Sequence, residues 1–323
     1  MYEDAAGPPP DEGARQAFTD DALAGLLAWR KTLPGKYLWD ETGSTLFDRI
    51  CESDGYYLAR RETALLRAAA GEVASIVGRD ACLVEFGSGS SLKTRVVLDA
   101  LDRPARYVPI DIAAEHLEAA AAAIRRDYPG LDAVVPVHAD YTRPITLPPE
   151  ARDGPAPVLG FFPGSTIGNF APEAAVAFLE RARATLGPSL LLVGVDANPD
   201  EAGLTLAYAG DDGLMAALHG NLLTRLAREL GAGVEADAFR HEVRVLPDPP
   251  RVEAHLVATR PTVLRLGGYA VAFRAGESIH TDTSYKYDPD SFRAIAGRAG
   301  WQTARFWPDG HGMLGLHLLR AAG

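Results

Sequence analysis

The spacing of apolar and polar positions changes twice along the chain. Residues 18–76 carry apolar side chains at helical spacing, as in Leu23 and Leu26, and this spacing predicts helices. From Ala81 to Asp196, short apolar runs alternate with longer amphipathic segments, a pattern typical of strands that alternate with helices. Beyond Asp196 this alternation stops.

The alternating region predicts a parallel sheet. Strand–helix–strand units place helices on both faces of a sheet, and their strands are buried and continuously apolar. We therefore expect an α/β fold with a Rossmann-like, doubly wound sheet. The five strands are predicted at residues 82–86, 106–110, 134–138, 157–162 and 189–195.

The N-terminal helices and an insertion after the fifth strand predict a second, smaller unit. Asp20, Ser44 and Asp290 are expected to cap helices, because their side chains can accept backbone N–H groups at a helix start. After residue 198 we expect a helix at 214–230, strands at 251–259 and 269–273, and two closing strands. The predicted organisation is a disordered lead-in (1–17), a substrate domain (18–76 and 199–285) and a core (77–198 and 286–323).

Composition and charge exclude several classes of protein. The chain has 323 residues and a net charge of −11, without a cluster of basic residues, so we expect neither nucleic acid nor an anionic membrane as a partner. No segment approaches the roughly 18 apolar residues of a membrane span, and no secretory leader is predicted. We expect a cytoplasmic monomer with free, buried thiols at Cys51 and Cys82. The histidines lack metal-ligand spacing, so no metal site is predicted.

A glycine-containing turn follows the first predicted strand. Gly87, Ser88 and Gly89 come directly after Glu85 and Phe86, where glycine allows positive φ and a close approach of the backbone to a ligand. A third glycine, which a dinucleotide fingerprint requires, is missing. An NAD-dependent oxidoreductase is therefore disfavoured, although the scaffold alone leaves it open.

Acidic residues end the next two strands. Asp111 lies 26 residues after Glu85, where a carboxylate can accept both ribose hydroxyl hydrogens. Asp140 ends the third strand, where it can accept from an adenine amino group while Tyr141 lines the base. Each could be an ordinary helix cap. Glu85, Asp111 and Asp140 together, near the ends of three successive strands, point to a ligand at the carboxyl edge of the sheet.

These residues together resemble the class I S-adenosylmethionine (SAM)-dependent methyltransferases. Several further segments are similar to the histidine Nα-methyltransferase family, whose best-known members begin ergothioneine biosynthesis. The resemblance spans about residues 18–320 and implies SAM as the cofactor and a methyltransferase core with a substrate domain. Its motifs lie at residues 36–47, 56–62, 85–95 (which includes Lys93), 161–170 and 284–287.

The resemblance also implies a role for individual side chains. Asn169 and Tyr208 are expected to hold the substrate carboxylate, and Tyr56 to lie near the α-amino group. Asp282 and Ser284 are expected to meet the side-chain ring, since residues two apart on a strand face the same side. Lys93 belongs to the cofactor segment. Phe47 belongs to the expected substrate pocket.

Three positions depart from the family pattern, and all belong to the expected side-chain pocket. Asp282 replaces a glutamate, Trp39 a tyrosine and Ala254 a methionine. Small changes in a polar pocket can redirect specificity, because an unpaired buried group is costly. Nα-methylation of L-histidine, up to the trimethylated betaine, is the leading interpretation. Tryptophan or a modified aromatic amino acid remains open as the substrate, and so does a SAM-binding scaffold without activity.

Overall fold

Three helices open the computed structural model, which describes residues 12–89, 92–151, 156–210 and 212–322. They are α1 (Glu12–Leu26), α2 (Glu41–Glu52) and α3 (Tyr57–Val77). Helix α1 occupies part of the segment predicted as a lead-in, of which residues 1–11 lie outside the described ranges. Two capping predictions were wrong: Asp20 lies inside α1, and Asp40 rather than Ser44 caps α2, accepting the Gly43 N–H at 2.8 Å.

The middle of the chain alternates strands and helices as predicted. The third strand is split in two, because Pro136 has no N–H to donate to its neighbour. The elements are β1 (Cys82–Phe86), α4 (Leu92–Ala100), β2 (Arg106–Asp111), α5 (Ala114–Asp127), β3 (Ala133–Val134), β4 (Val137–His138), β5 (Val158–Phe162), α6 (Pro172–Leu186) and β6 (Leu190–Asp196).

The last third contains more structure than its sequence pattern predicted. Elements α7, β7, β9 and β11 were not predicted, and Asp288 rather than Asp290 caps α9 by accepting the N–H groups of residues 290 and 291. The elements are α7 (Glu201–Ala209), α8 (Leu214–Leu230), β7 (Phe239–Pro247), β8 (Pro250–Ala258), β9 (Thr262–Leu266), β10 (Tyr269–Phe273), β11 (Ser278–Tyr285), α9 (Pro289–Arg298), β12 (Trp301–Pro308) and β13 (Leu314–Ala321).

One mostly parallel sheet forms the centre of the fold. Its strand order is β12-β13-β6-β5-β1-β2-β3, with β4 also paired to β2, and only β12 and β13 run antiparallel to their neighbours. The carboxyl ends of β1, β2, β5 and β6 therefore meet at one edge of the sheet. This edge is where ligands bind in open α/β folds.

A second packed unit joins segments that are far apart in sequence. One buried cluster contains Phe18, Leu38 and Tyr56 from the N-terminal segment together with Leu222 on α8 and Ile279 on β11. Strand β11 pairs with β8, and β8 with β7, to form a three-stranded sheet in this unit. The exact domain boundaries given above stay a prediction.

The remaining candidates from the sequence are the two thiols, a metal site and a membrane span. Cys51 and Cys82 are both free, and burial raises the pKa of each thiol to about 11. Within the described ranges, no cluster of three or more His, Cys, Asp or Glu side chains is arranged to hold a metal ion. No helix in the same ranges is long and apolar enough to cross a membrane.

Candidate active site

A cavity of about 180 Å³ lies between the carboxyl edge of the large sheet and the second packed unit. Eleven of the predicted site residues line it, and they come from both sides. Those residues are Trp39, Phe47, Tyr56, Gly87, Gly89, Asp111, Tyr141, Asn169, Tyr208, Asp282 and Ser284. The predicted residues that do not line it are Glu85, Ser88, Lys93, Asp140 and Ala254.

The turn after β1 and the end of β2 form the sheet side of the cavity. Gly87 and Gly89 adopt φ values of +74° and +45°, which glycine reaches without strain. The carboxylate of Asp111 accepts the N–H of Gly89 at 3.2 Å and the N–H of Ala113 at 3.0 Å, so its orientation is fixed. The buried hydroxyl of Ser88 has no hydrogen-bond partner among the described residues. An oriented carboxylate beside an open glycine turn fits the ribose and amino-acid parts of SAM.

Glu85 lies behind this turn and does not face the cavity. Its carboxyl group accepts the hydroxyls of Thr94 at 2.6 Å and Tyr107 at 2.5 Å, which joins β1 to α4 and β2. Burial raises the pKa of Glu85 to about 8. The structure therefore gives Glu85 a supporting position rather than the direct cofactor contact expected from sequence.

Asp140 is engaged in its own turn, whereas its neighbour Tyr141 faces the cavity. One carboxylate oxygen of Asp140 accepts both the N–H of Thr142 at 2.9 Å and its hydroxyl at 2.5 Å. The ring of Tyr141 packs edge-on against Phe162 and Phe178. Of this pair, only Tyr141 lines the cavity.

Lys93 forms an ion pair with Glu62 at the back of the site. Both carboxylate oxygens of Glu62 also lie 2.8 Å from the N–H of Gly164, which follows β5 and lines the cavity. Gly194 on β6 leaves room for this carboxylate, since a Cβ there would lie 1.8 Å from Glu62 Oε1. Lys93 and Glu62 thus hold the loop after β5 in place.

A chain of aromatic side chains forms one wall of the second side. The rings of Trp39 and Phe47 meet edge-on at 5.2 Å, those of Phe47 and Tyr56 at 5.9 Å, and those of Tyr56 and Tyr208 at 6.1 Å. Tyr56 is buried, and its hydroxyl makes no hydrogen bond with any described residue. Burial holds the pKa of Tyr56 well above its usual value, so the hydroxyl stays protonated.

Tyr208 and Ser284 form a polar wall of the cavity, and a buried ion pair between Lys286 and Asp196 lies behind it. The ammonium of Lys286 lies 2.8 Å from Asp196 Oδ2, 2.7 Å from the Tyr208 hydroxyl and 2.8 Å from Ser284 Oγ. Asp196 also accepts the Tyr57 hydroxyl at 2.7 Å. Burial alone would lower the pKa of Lys286, but Asp196 and Tyr208 raise it above its usual value.

The donors in this network can be counted. Lys286 has three hydrogens and uses them on Asp196, Tyr208 and Ser284. The hydroxyls of Tyr208 and Ser284 are 2.8 Å apart, so one donates to the other. The hydroxyl that accepts keeps its own hydrogen, and both residues line the cavity. The wall therefore presents one hydroxyl hydrogen to a ligand.

Asn169 lies on the loop after β5, next to Gly168, where a Cβ would lie 3.4 Å from Ser284 Oγ. Its side chain is exposed in the cavity, and its amide makes no hydrogen bond with a described residue. The loop is fixed upstream by Ser165, a non-glycine residue at φ +54° whose hydroxyl accepts the N–H of Asp196 at 2.8 Å. Close packing of Gly168 on Tyr285 fixes it downstream, since a Cβ there would lie 2.6 Å from the Tyr285 carbonyl oxygen.

The three departures from the family pattern occupy different places. Trp39 and Asp282 line the cavity, whereas Ala254 is buried on β8 beside Asp282 on β11. Burial raises the pKa of Asp282 to about 7. Gly35 packs so closely that a Cβ there would lie 3.0 Å from Asp282 Oδ1.

Several site residues were given no role from sequence. Lys286 and Asp196 could have been found, because a charged residue within a motif or at the end of a buried strand is the signal that selected Asp111. His219 lies on the buried face of α8 between Leu218 and Leu222, where a polar residue is unexpected. His116 lines the sheet side of the cavity, and nothing in its spacing indicates this.

Comparison with known proteins agrees with this geometry. Residues 18–321 match the family model described as a SAM-dependent, histidine-specific methyltransferase. The chain is 37% identical to the histidine N-alpha-methyltransferase of Mycolicibacterium smegmatis, over 95% of this chain and 96% of that protein. It is 38% identical to the protein of the same name from Mycobacterium tuberculosis, with the same coverage. It is also 27% identical to the 4-dimethylallyltryptophan N-methyltransferase of Aspergillus fumigatus, over 92% of each chain.

The match covers nearly the whole chain, and the predicted family assignment is confirmed. The predicted α/β class with its mostly parallel central sheet is confirmed as well. SAM is the cofactor, and the chain is an N-methyltransferase. The protein therefore belongs to the SAM-dependent, histidine-specific methyltransferase family.

Proposed function

We propose that this enzyme transfers methyl groups from SAM to the α-amino group of free L-histidine, up to the trimethylated betaine. The observation that carries the proposal is the single cavity that joins a SAM-type strand edge to a polar and aromatic pocket. The pocket offers donors for a carboxylate, a tyrosine hydroxyl for an amine, and polar groups for a ring. A small, zwitterionic amino acid matches this set.

The sheet side of the cavity holds the cofactor. Asp111, oriented by two backbone N–H groups, accepts from the ribose hydroxyls. The turn at Gly87 and Gly89 lets the backbone approach the ligand, and Tyr141 provides an apolar surface. When bound, SAM supplies an electrophilic methyl carbon on a sulfonium.

The other side of the cavity orients the amino acid. The amide of Asn169 and the hydroxyl hydrogen left by the Tyr208–Ser284 pair donate to the carboxylate. Lys286 beneath this pair adds positive charge, which favours an anionic group there. Fixing the carboxylate fixes the direction of the α-nitrogen, and most of the rate of such a displacement comes from positioning.

Tyr56 orients the amine and does not act as a base. Its hydroxyl remains protonated because burial raises its pKa, so its oxygen can accept an N–H of the substrate. The amine must lose one proton before it attacks the methyl carbon. The variant Tyr56→Phe keeps the aromatic wall and removes only the hydroxyl. We expect kcat to fall by about tenfold or more, and unchanged turnover and KM would refute the role.

The pocket departures favour a second candidate substrate of the same chemistry. Asp282 is one methylene shorter than the family glutamate, which leaves room for a larger ring. Trp39 lacks the hydroxyl of the family tyrosine, which removes a polar contact and favours an aromatic ring such as indole over imidazole. One relative, at 27% identity, is named for a tryptophan derivative. The histidine proposal is preferred because two relatives at 37% and 38% identity carry the histidine name and the pocket keeps Asn169, Tyr208 and Ser284.

Competition among substrates tests the proposal directly. The protein is incubated with SAM and an equimolar mixture of the twenty free amino acids, and methylated products are identified by mass. Histidine is expected to gain one to three methyl masses ahead of every other amino acid. Product from tryptophan in place of histidine would overturn the substrate assignment.

Two variants test the departures in the same assay. Asp282→Glu and Trp39→Tyr restore the family residues, and both are expected to retain histidine as the preferred substrate. Asp111→Asn serves as the matched control on the cofactor side, where we expect weaker SAM binding and an unaltered order of substrate preference. Binding of SAM without turnover of any amino acid would favour the scaffold alternative instead.

A further inference from the structure

His219 lies in the cavity, and neither the strand-end pattern nor the family motifs single it out. It belongs to α8, is 5% exposed and lines the same cavity as Asp282 and Ser284. The mechanism above gives it no role. A buried imidazole in a substrate pocket needs an explanation, because a polar group there is costly unless it forms hydrogen bonds.

The hydrogen bonds of Thr281 fix the tautomer of this imidazole. Thr281 Oγ1 donates its one hydrogen to the carbonyl oxygen of Ala254 at 3.0 Å. The contact of 2.9 Å between Thr281 Oγ1 and His219 Nδ1 must then be a bond that His219 donates. His219 therefore carries its hydrogen on Nδ1, and Nε2 is left with a lone pair.

The ring is also held neutral. Burial and the neighbouring His241 lower the pKa of His219 to about 3. The two rings stack at 4.7 Å with an interplanar angle of 6°. Among the described residues, Nε2 of His219 has no hydrogen-bond partner. His219 is thus a fixed, neutral acceptor that lines the substrate cavity.

An irregularity in β11 explains how His219 and Asp282 come to share one cavity. The pairing of β11 with β8 shifts register between His280 and Asp282, so Thr281 is the extra residue. Such a bulge changes the direction of neighbouring side chains. Thr281 can therefore bind His219 from the same strand that brings Asp282 to the cavity.

We propose that Nε2 of His219 accepts the one ring N–H of the substrate and so contributes to its specificity. This inference rests on the proposed function and adds a contact to it. A neutral imidazole has one N–H donor. A fixed, neutral acceptor in the pocket discriminates against rings that have no N–H, because the acceptor is then left buried without a hydrogen bond. The pocket should therefore select for the N–H of the ring and not only for its size.

The probe is 3-(4-thiazolyl)-L-alanine, which has a five-membered ring of similar size with a nitrogen but without an N–H. Values of kcat/KM for histidine and for this analogue are measured at pH 8, where the histidine ring is neutral. For the wild-type protein we expect a preference for histidine of about tenfold or more, as the loss of one buried hydrogen bond implies.

Three variants separate this role from a merely structural one. His219→Leu removes the acceptor and should reduce the preference to about twofold or less. His219→Gln offers a carbonyl oxygen in place of Nε2 and should restore much of it. The control His317→Leu replaces another buried histidine whose pKa is also lowered to about 3, but on β13 outside the cavity, and should leave the preference unchanged.

The outcomes are distinct for the two proposals. If the wild-type protein does not methylate histidine, the proposed function fails whatever His219 does. If the wild-type protein methylates histidine and His219→Leu keeps the full preference over the thiazole analogue, the role of His219 is refuted. An equal loss of preference in His317→Leu would also refute it, because the effect would then follow from general destabilisation.

Discussion

Replacing Lys286 with methionine tests whether the buried ion pair supports both the fold and the substrate site. Methionine has a similar length, so Lys286→Met removes the ammonium without opening a large cavity. Three hydrogen bonds are lost, to Asp196, Tyr208 and Ser284. Asp196 is fully buried and would keep only the Tyr57 hydroxyl and the Asn198 N–H.

The cost follows from the charge that is left without its partner. Breaking a buried pair by removing one member destabilises a protein by about 3–5 kcal/mol. For 323 residues the entropy of unfolding is roughly 0.7 kcal/mol/K, so Tm should fall by about 4–7 °C. The Tyr208–Ser284 pair also loses its orienting donor, and we expect KM for histidine to rise by about tenfold.

Differential scanning calorimetry and steady-state kinetics measure the two effects separately. The double variant Lys286→Met with Asp196→Asn removes both charges, and it should recover part of the lost Tm because no buried charge stays unpaired. It should not recover KM. If Lys286→Met keeps the wild-type Tm and KM, the account of the polar wall is wrong.

Three further predictions concern carboxyl groups and one glycine. Glu85→Gln should change KM for SAM by less than about twofold, because Glu85 has a pKa raised to about 8 and lies outside the cavity. Asp111→Asn should raise KM for SAM by about tenfold. Equal effects of the two variants would contradict the placement of Glu85 behind the cavity. Burial raises the pKa of Asp282 to about 7, so the folded chain holds the carboxyl proton more tightly than the unfolded chain does. The free energy of unfolding therefore falls as pH rises from about 4 to 7. Asp282→Asn should therefore raise Tm at pH 8 more than at pH 5, as thermal scans at both pH values will show. Gly194→Ala should lower Tm and SAM affinity together, because its Cβ would displace the Glu62 carboxylate; a normal Tm would contradict this packing.

The sequence predicted the parallel sheet because its signals are local. Buried strands such as β1 and β6 are continuous apolar runs, and the residues at their ends are visible in the chain. Asp111 ends β2 and lines the cavity, and its contact with the ribose stays a prediction. The same rule selected Glu85 and Asp140, whose carboxyl groups turned out to accept bonds from nearby hydroxyls and N–H groups instead.

The substrate side was less predictable, because its residues meet through contacts distant in sequence. Strand β7 is only half-buried along most of its length, so its alternation is weak and it was not predicted. The ion pair of Lys286 with Asp196 joins residues 90 positions apart, and no periodicity encodes it. The tautomer of His219 depends on a hydroxyl of a bulged residue, which only coordinates can reveal.

The central claim is methylation at the α-nitrogen of histidine, and fragmentation of the reaction product tests it most directly. The protein is incubated with SAM carrying a ¹³C-labelled methyl group and with L-histidine, and the product is analysed by tandem mass spectrometry. We predict that every labelled methyl group is lost with the α-amine fragment and that the imidazole fragment keeps its natural mass. Label retained on the imidazole fragment, or unmodified histidine at the end of the reaction, would contradict the account.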